Sequence, residues 1–437
     1  MEKFYDRKDE LQALSQIERQ SHKTACFTVI TGRRRIGKTE LLGHFISDKK
    51  SAYLFTTRSA EKALCTQWQK TLEESIGLKI FGTAETLSDL FEQIMLFSKD
   101  NHFTLVIDEF QDIDYVNKSF FSQMQNIWDS NKASSKINLI VCGSIYSLMT
   151  KIFKNDKEPL FGRTTHSIHL KPFTPSVVKE ILADFNPKYK AEDLLCLYML
   201  SGGVAKYRFL LMYSGATSKD KMLSSVCNMA SPFLTDGRDI LISEIGKDYG
   251  TYFSILQAIA SGHTSQNEID SVIQKNTGAY LQNLQKVFGI AEQIRPLLSK
   301  SESRNARWQI VDEYMLFYFR FIFSHQDLLE LGYYEMVKQL ILRDYETFTG
   351  KTLERYFTAK LQEEGNLTKI GGWWDRKTEN EIDIITINEL DKTCKVYEVK
   401  RQASRVKLDK VEIKAQAFMQ NLHGYTHEIK GLSMDDM

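Results

Sequence analysis

The chain has 437 residues, of which 42% are hydrophobic and 11% aromatic, a composition that excludes a mainly disordered chain and leaves room for several folded cores. Its 57 Lys and Arg residues nearly balance its 56 Asp and Glu residues, so the net charge of +1 excludes a global basic field and any nucleic-acid site must be local. The six scattered cysteines form no Cys-x-x-Cys pair, which argues against a disulfide scaffold or a zinc site and fits a reducing compartment.

The first part of the chain alternates between strand and helix patterns. Leu11, Leu14 and Ile17 indicate an opening helix, and apolar runs predict five strands, at 26–30, 51–55, 103–107, 137–142 and 166–170. Because helical patterns separate these runs, we expect an α/β fold with a mostly parallel sheet covered on both faces over residues 1–172.

The first strand leads into a glycine-rich loop and then a helix. Gly32-x-x-x-x-Gly37-Lys38-Thr39 supplies glycines for tight turns, a lysine for terminal phosphates and a hydroxyl for Mg²⁺. A chance glycine-rich turn is the alternative, but the flanking strand and helix favour nucleotide binding. We therefore predict that ATP and Mg²⁺ are bound by this segment, with Thr39 as a metal ligand; the predicted contacts are Gly32, Arg33, Arg34, Arg35, Ile36, Gly37, Lys38, Thr39 and Glu40.

Polar residues also end the third and fourth strands. Asp108 and Glu109 follow the strand at 103–107, where they would face the same crevice as the phosphate loop. Asp108 is predicted to hold Mg²⁺ with Thr39 through water, and Glu109 to orient or deprotonate the attacking water; a solvated acidic turn is the alternative. Ser144 could sense the terminal phosphate or cap the next helix.

Arg163 closes the motif Leu160-Phe161-Gly162-Arg163. It could compensate transition-state charge, in cis or in trans, or simply be solvated. With the opening segment 6–11, the phosphate loop and the Asp108-Glu109 strand, this motif resembles the archaeal-type P-loop ATPase family, in the AAA-related and STAND branch, over roughly residues 1–330. The family usually continues with Gly-Gly-Val-Pro-x-Tyr in a helical lid, and here Ala205 replaces the proline.

The middle of the chain has helical periodicity. Residues 173–247 are predicted to form a helical lid, and 248–330 a winged-helix-like domain with a capping box at Ser265 and Glu268 and a wing near 290–298. Such domains often bind DNA. The candidate recognition helix at 277–288 offers only Lys286 for phosphates, however, so a packing module between domains is an equal alternative.

Acidic residues and a lysine recur in the last part of the chain, 334–437. Glu354 lies on a predicted helix, Asp383 on a strand, and Glu398 and Lys400 two residues apart on the next strand, where they share a face. Two carboxylates and an ammonium that converge in this way suit a metal-dependent phosphodiesterase. A solvated Glu-x-Lys pair is the alternative.

These residues, with the neighbouring Gly-Gly-Trp-Trp at 371–374, resemble the PD-(D/E)XK nuclease superfamily in its archaeal-ATPase-associated form. The resemblance implies a C-terminal α/β nuclease-like domain with Asp383, Glu398 and Lys400 as catalytic residues and Glu354, Asp383 and Glu398 as metal ligands. Between Asp391 and Ala415 there are eight Lys or Arg residues against four Asp or Glu, which suits a DNA backbone or an ordinary solvated helix face.

We therefore predict a cytoplasmic ATPase, without a membrane partner, whose nucleotide state controls a C-terminal nuclease-like domain acting on DNA. The alternative is a nucleotide-dependent switch that binds ATP or ADP, assembles with partners or with further copies of itself, and uses the C-terminal domain only for binding.

Overall fold

The computed structural model describes residues 3–80, 82, 84–246, 249–300, 305–375 and 380–437. It divides into two compact units, Met1–Lys171 and Pro172–Met437. Within these described residues, no helix has both the length and the apolar character needed to cross a membrane.

Unit 1 is built on a five-stranded parallel sheet with the strand order β2-β3-β4-β1-β5. Its strands are β1 (Cys26–Thr31), β2 (Ser51–Phe55), β3 (Phe103–Asp108), β4 (Ile137–Cys142) and β5 (His166–His169). The predicted parallel sheet is confirmed. Because β3, β4 and β1 are neighbours, the residues that follow their carboxyl ends lie at one edge of the sheet.

Helices cover this sheet, which explains why β1, β3 and β4 are buried along their whole lengths. The helices of unit 1 are α1 (Lys8–Ser21), α2 (Lys38–Ile46), α3 (Glu61–Ile76), α4 (Leu87–Phe97), α5 (Ile113–Val116), α6 (Phe120–Asn131) and α7 (Tyr146–Lys154). One face of the sheet packs its alternate apolar residues against the buried rings of Trp68 and Trp128.

Unit 2 begins with a helical region: α8 (Pro175–Phe185), α9 (Ala191–Ser201), α10 (Ala205–Tyr213), α11 (Lys219–Val226) and α12 (Asp236–Ile245). Gly202 and Gly203 separate α9 from α10 and both have positive φ angles. A Cβ on Gly203 would lie 2.3 Å from the carbonyl oxygen of Phe173, so the turn requires glycine there. Ala205 occupies the first helical position of α10, a position that also suits proline.

The next segment contains α13 (Tyr249–Ala260), α14 (Gln266–Ile273) and α15 (Gly278–Lys286), followed by β6 (Ala291–Ile294) and β7 (Arg307–Ile310), which pair in antiparallel fashion. The predicted capping box is confirmed, because Ser265 and Glu268 exchange hydrogen bonds at the start of α14. The division of the chain into four domains stays a prediction, and its boundary at 247/248 lies outside the described residues.

The chain then forms α16 (Glu313–Phe317), α17 (Gln326–Glu330) and the 31-residue α18 (Tyr334–Glu364). Beyond these come β8 (Lys369–Trp374), β9 (Glu381–Asn388), β10 (Thr393–Val399), α19 (Leu408–Met419) and β11 (Thr426–Leu432). The four strands form a mixed sheet of order β11-β10-β9-β8, in which only β10 and β11 are parallel. The apolar face of α19 covers it with Val411, Ala415 and Phe418.

Candidate nucleotide site and carboxylate–lysine cluster

The phosphate loop lies between β1 and α2, and its glycines are required by its shape. Gly32 and Gly37 have φ angles of 150° and 98°, and a Cβ on Gly32 would lie 2.7 Å from the carbonyl oxygen of Leu170. Gly37 directly precedes α2, so the loop ends at a helix N-terminus, where backbone N–H groups attract anions.

Lys38, the first residue of α2, is buried and turns back onto this loop. Its Nζ donates hydrogen bonds to the carbonyl oxygens of Gly32, at 2.9 Å, and Arg33, at 3.0 Å. The other predicted contact residues differ in exposure: the Ile36 side chain is fully buried, that of Glu40 is exposed, and Arg34 and Arg35 are half-buried like Arg33. A bound nucleotide would therefore meet Ile36 through its backbone only.

Asp108, at the end of β3, accepts hydrogen bonds on both carboxylate oxygens. Oδ1 accepts from the Glu109 amide at 2.8 Å and from Cys142 Sγ at 2.9 Å. Oδ2 accepts from Thr39 Oγ1 at 3.2 Å and from the Tyr53 hydroxyl at 2.5 Å. Burial, and then the charge of Asp108, raise the pKa of Cys142 well above its usual value, so the thiol keeps the proton that it donates. The structure thus brings the predicted pair Thr39 and Asp108 together.

Glu109 adopts a left-handed backbone conformation, with φ of 52°. Its Oε2 accepts hydrogen bonds from Ser144 Oγ at 2.7 Å, from the Ser144 amide at 3.2 Å and from Gln111 Nε2 at 2.5 Å. Ser144 precedes α7 without capping it. Its role as a phosphate sensor stays a prediction, while its observed partner is the candidate catalytic carboxylate.

Arg163 lies at the opposite edge of the sheet from the phosphate loop. Its guanidinium donates to Asp129 Oδ2 from Nε and Nη2, at 3.3 Å each, and to the Phe161 carbonyl oxygen at 2.9 Å. Nearby, Thr165 bonds to Phe27, close to where β1 begins. The structure therefore does not bring Arg163 to Lys38 within unit 1, and a role in trans stays a prediction.

Asp383, Glu398 and Lys400, which we name the carboxylate–lysine cluster, converge on the C-terminal sheet. Lys400 Nζ lies 3.2 Å from Asp383 Oδ2 and 2.8 Å from Glu398 Oε1. Asp383 Oδ2 also accepts a hydrogen bond from the Val399 amide at 2.8 Å. The spacing of these residues predicted this convergence, and adjacent strands β9 and β10 position the two carboxylates.

The electrostatics of the cluster reflect burial and crowded charge. Burial raises the pKa of Asp383 by more than the Val399 amide and the charge of Lys400 lower it. Burial, with the charge of Asp383 adding to it, raises the pKa of Glu354 on α18 to about 7. Burial alone would lower the pKa of Lys400, but its bonds to Glu398 and its ion pair with Asp383 outweigh that effect and raise it.

The donor set of the cluster fits one hard cation. Glu398 Oε2 is buried and has no hydrogen-bond partner, which is unusual for a carboxylate oxygen. Among the described residues, however, no group of three or more acidic, His or Cys side chains is close enough to form a metal centre by itself. A cation there would complete its coordination with water or substrate oxygens, as Mg²⁺ commonly does.

The segment around the predicted wing packs against the C-terminal sheet. The Leu297 amide donates to the Gly372 carbonyl oxygen at 2.8 Å, and Trp374 Nε1 donates to the Asn305 carbonyl oxygen at 3.2 Å. Arg307, on β7, pairs with Glu381 at 2.7 Å. These contacts favour the packing alternative over a wing that is available to DNA.

The basic segment between Asp391 and Ala415 is only partly exposed around α19. Lys407 and Lys410 are exposed, whereas Lys414 Nζ donates to the carbonyl oxygen of Glu381 at 3.0 Å.

Tyr53 and Cys142 were not identified from the sequence as partners of Asp108. Side chains alternate along β2, so Tyr53 lies on the other face of the sheet from the buried Ala52 and Leu54. This alternation is the sequence pattern that could have identified Tyr53.

The sheet order, the phosphate loop and the two acidic residues at the end of β3 define a P-loop nucleotide-binding protein of the Walker type. A family described as an ATPase domain predominantly from Archaea matches residues 4–208, and a family of archaeal and bacterial proteins of unknown function matches 318–414. A protein of Methanocaldococcus jannaschii, named as uncharacterized, is 30% identical over 407 residues, which cover 91% of this chain and 87% of that protein. The chain belongs to the same family as this archaeal protein, with an archaeal-type P-loop ATPase domain followed by the second, C-terminal domain.

Solved structures with low sequence identity show the same fold. A Walker-type ATPase of Pyrococcus abyssi matches with a TM-score of 0.56 and 18% identity, over 72% of this chain and 96% of that one. The ORC2 protein of Aeropyrum pernix matches with a TM-score of 0.50 and 13% identity, over 78% of this chain and 96% of that one.

Proposed function

We propose that the chain binds and hydrolyses ATP in unit 1 and that its nucleotide state controls a metal-dependent nuclease-like site in unit 2 that acts on DNA. The observation that carries the proposal is the convergence of Asp383, Glu398 and Lys400 on adjacent strands, on the same chain as a complete phosphate loop. Neither arrangement is needed to stabilise a sheet of this kind.

In the nucleotide site, each side chain has a distinct task. The loop amides and Lys38 bind the phosphates, and Glu109 orients the attacking water or accepts its proton. Thr39 and Asp108 would hold Mg²⁺, which offsets the charge of the phosphates when it is bound. Because Ser144 donates two hydrogen bonds to Glu109, its position controls where the carboxylate points.

In the carboxylate–lysine cluster, Asp383 and Glu398 would hold the cation. The predicted ligand role of Glu354 stays a prediction, because no three acidic side chains of the described residues lie close enough to hold a cation together. A cation bound there lowers the pKa of a water and stabilises charge on a phosphodiester. Lys400, whose pKa is raised by its two carboxylate partners, would act as an ammonium that positions the attacking water. The exposed Lys407 and Lys410 offer local positive charge for the DNA backbone.

A direct contact within unit 2 supports control of this cluster by the helical region. Arg401, next to Lys400 in the chain, forms an ion pair with Glu192 on α9 and donates to Thr349 Oγ1 on α18 at 2.5 Å. A displacement of α9 therefore pulls on the backbone that carries Lys400.

The test is cleavage of supercoiled and linear DNA with Mg²⁺, with and without ATP. We expect cleavage by the wild type, loss in Lys400→Ala with ATP turnover intact, and loss of the ATP effect in Lys38→Ala. Lys430→Ala is the matched control, since Lys430 is exposed on β11 and pairs with Glu428 at 3.1 Å, outside the cluster. Equal behaviour of wild type and Lys400→Ala, with ATP turnover present, would contradict the nuclease proposal.

A second candidate is a nucleotide-dependent switch whose C-terminal domain binds without cleaving. It is favoured by the position of Lys400, whose ammonium already forms ion pairs with both carboxylates. This candidate predicts slow ATP turnover and a change of oligomeric state between ADP and a non-hydrolysable ATP analogue. Light scattering on wild type and Lys38→Ala separates the two candidates, because the variant should lose the change.

A further inference from the structure

The two oxygens of Asp108 are held in different ways. Oδ1 is fixed by a backbone amide and the buried Cys142 thiol, whereas Oδ2 accepts from two hydroxyls, those of Thr39 and Tyr53. A carboxylate oxygen has about two lone-pair positions, so the two hydroxyls fill Oδ2.

The sheet itself places Tyr53. In the parallel ladder between β2 and β3, Phe55 is opposite Asp108, and Tyr53 lies two residues earlier on β2. Because side chains alternate along a strand, Tyr53 shares the face of Asp108, while Ala52 and Leu54 point into the core on the other face. The approach of this hydroxyl to Oδ2, at 2.5 Å, is therefore set by strand register rather than by a mobile loop.

We propose that Tyr53 is a positioning residue that restricts the access of Mg²⁺ to Asp108. The inference rests on the proposed nucleotide site, in which Thr39 and Asp108 hold the ion; their hydroxyl and carboxylate oxygens are the donors that Mg²⁺ prefers. Oδ2 would help to hold the ion only when the Tyr53 hydroxyl no longer donates to it, because the two hydroxyls occupy the lone pairs of that oxygen. Phenylalanine removes this competitor, and the two donors on Oδ1 keep the carboxylate oriented.

The test compares Mg²⁺ affinities of the full chain. A fluorescent ADP analogue carrying an N-methylanthraniloyl group is first bound in EDTA, and Mg²⁺ is then titrated at saturating analogue; Mn²⁺ binding followed by electron paramagnetic resonance is the second readout. Tyr53→Phe should lower the Mg²⁺ dissociation constant by about tenfold, because the hydrogen bond that it removes, from a hydroxyl to a charged carboxylate, no longer competes with the ion. Affinity for the analogue in EDTA should stay the same.

Two variants serve as comparisons. Tyr115→Phe removes a hydroxyl from an exposed tyrosine of the same unit and should leave the Mg²⁺ constant unchanged. Cys142→Ala removes a donor from Oδ1 and should not tighten Mg²⁺. Tyr53→Leu also lacks the hydroxyl and replaces Tyr53→Phe if the latter loses the wild-type circular dichroism spectrum.

The outcomes separate this inference from the function on which it rests. A Mg²⁺ constant in Tyr53→Phe equal to or higher than that of the wild type overturns the role of Tyr53 and leaves the nucleotide site standing. A wild type that binds the analogue without any response to Mg²⁺ overturns the metal site and the inference together.

Discussion

Replacing Arg355 by methionine should destabilise unit 2 by leaving a buried carboxylate without its partner. Arg355, on α18, donates to Glu313 Oε1 at 2.8 Å, to the Ile310 carbonyl oxygen at 2.9 Å and to Gln309 Oε1 at 3.4 Å. The Glu313 side chain is only 6% exposed. After the substitution, Thr352 Oγ1 still donates to Glu313 Oε2, at 3.4 Å, but Oε1 loses its charged donor. The pair thus fixes the helix that carries Glu354 against the start of α16.

The size of the effect follows from the burial of the two side chains. Breaking a buried ion pair by removing one partner costs about 3–5 kcal/mol, and we take about 3 kcal/mol because water reaches the Arg355 side chain, which is 21% exposed. For a unit of this size, that lowers the melting temperature by about 6–12 °C. Arg343→Met is the matched control, since Arg343 is 65% exposed on the same helix and pairs with Asp344 at the surface, where a pair contributes about 0–1 kcal/mol.

The pKa of Glu313 determines how the stability loss of Arg355→Met depends on pH. Burial already raises the pKa of Glu313 in the wild type, even against the charge of Arg355, and loss of that charge raises it further. A carboxyl group whose pKa is higher in the folded state favours folding below its unfolded value, about 4.3, and loses that contribution as the pH rises through the folded value. The deficit of Arg355→Met should therefore shrink as the pH falls from neutral towards about 4.

Thermal unfolding followed by circular dichroism at pH 7.5 and at pH 5, with matched ionic strength, measures this change. Adding Glu313→Gln to Arg355→Met should restore much of the loss at neutral pH, because a neutral amide replaces the unpaired charge. An equal deficit at both pH values, with no recovery in the double variant, would refute the argument that an unpaired Glu313 is the cause.

Three other substitutions test the candidate sites. Glu109→Gln should retain ATP binding but reduce turnover by about 10²–10⁴-fold in a phosphate-release assay, and turnover near the wild-type rate would remove Glu109 from its proposed role. Arg163→Ala should leave ATP affinity unchanged, because Arg163 lies away from the phosphate loop within unit 1. If the turnover of the variant falls further below that of the wild type as the protein concentration rises, the result would support action in trans. Lys400→Met should increase the thermal stabilisation that added Mg²⁺ gives, since it removes the ammonium that competes with a cation for Asp383 and Glu398, and an unchanged response would argue against a cation there.

The parts of the structure that could be predicted are those that depend on residues close together in the sequence. The five strands, the phosphate loop, the capping box at Ser265 and the Glu398-x-Lys400 pair depend on local periodicity or spacing, which a single segment displays. Parallel strand order then explains why Asp108 meets Thr39, because both follow strands that end at one edge of the sheet.

What could not be predicted depends on contacts between distant segments. Tyr53 reaches Asp108 only because β2 is the neighbour of β3, and the sequence does not state that order. Lys414 belongs to the basic segment between Asp391 and Ala415, yet it donates to a carbonyl oxygen of β9. Arg163 ends a motif for which a catalytic role was predicted, but it lies at the edge where strands begin because Thr165 pairs with Phe27.

The contacts within unit 2 bear on how a nucleotide-driven movement could reach the carboxylate–lysine cluster. Arg401, the residue after Lys400, pairs with Glu192 on α9. Arg355, the residue after Glu354, pairs with Glu313. Glu313 in turn packs against Gly202, where an added Cβ would lie 3.1 Å from the Glu313 Cβ. Both connections start one residue from a member of the candidate site and end at α9 or at the turn that follows it. Packed side chains of this kind have few alternative arrangements, so α9 cannot shift without moving either the strand end that carries Lys400 or the helix that carries Glu354. Control of the C-terminal site would then depend on α9 as a rigid element rather than on a flexible linker.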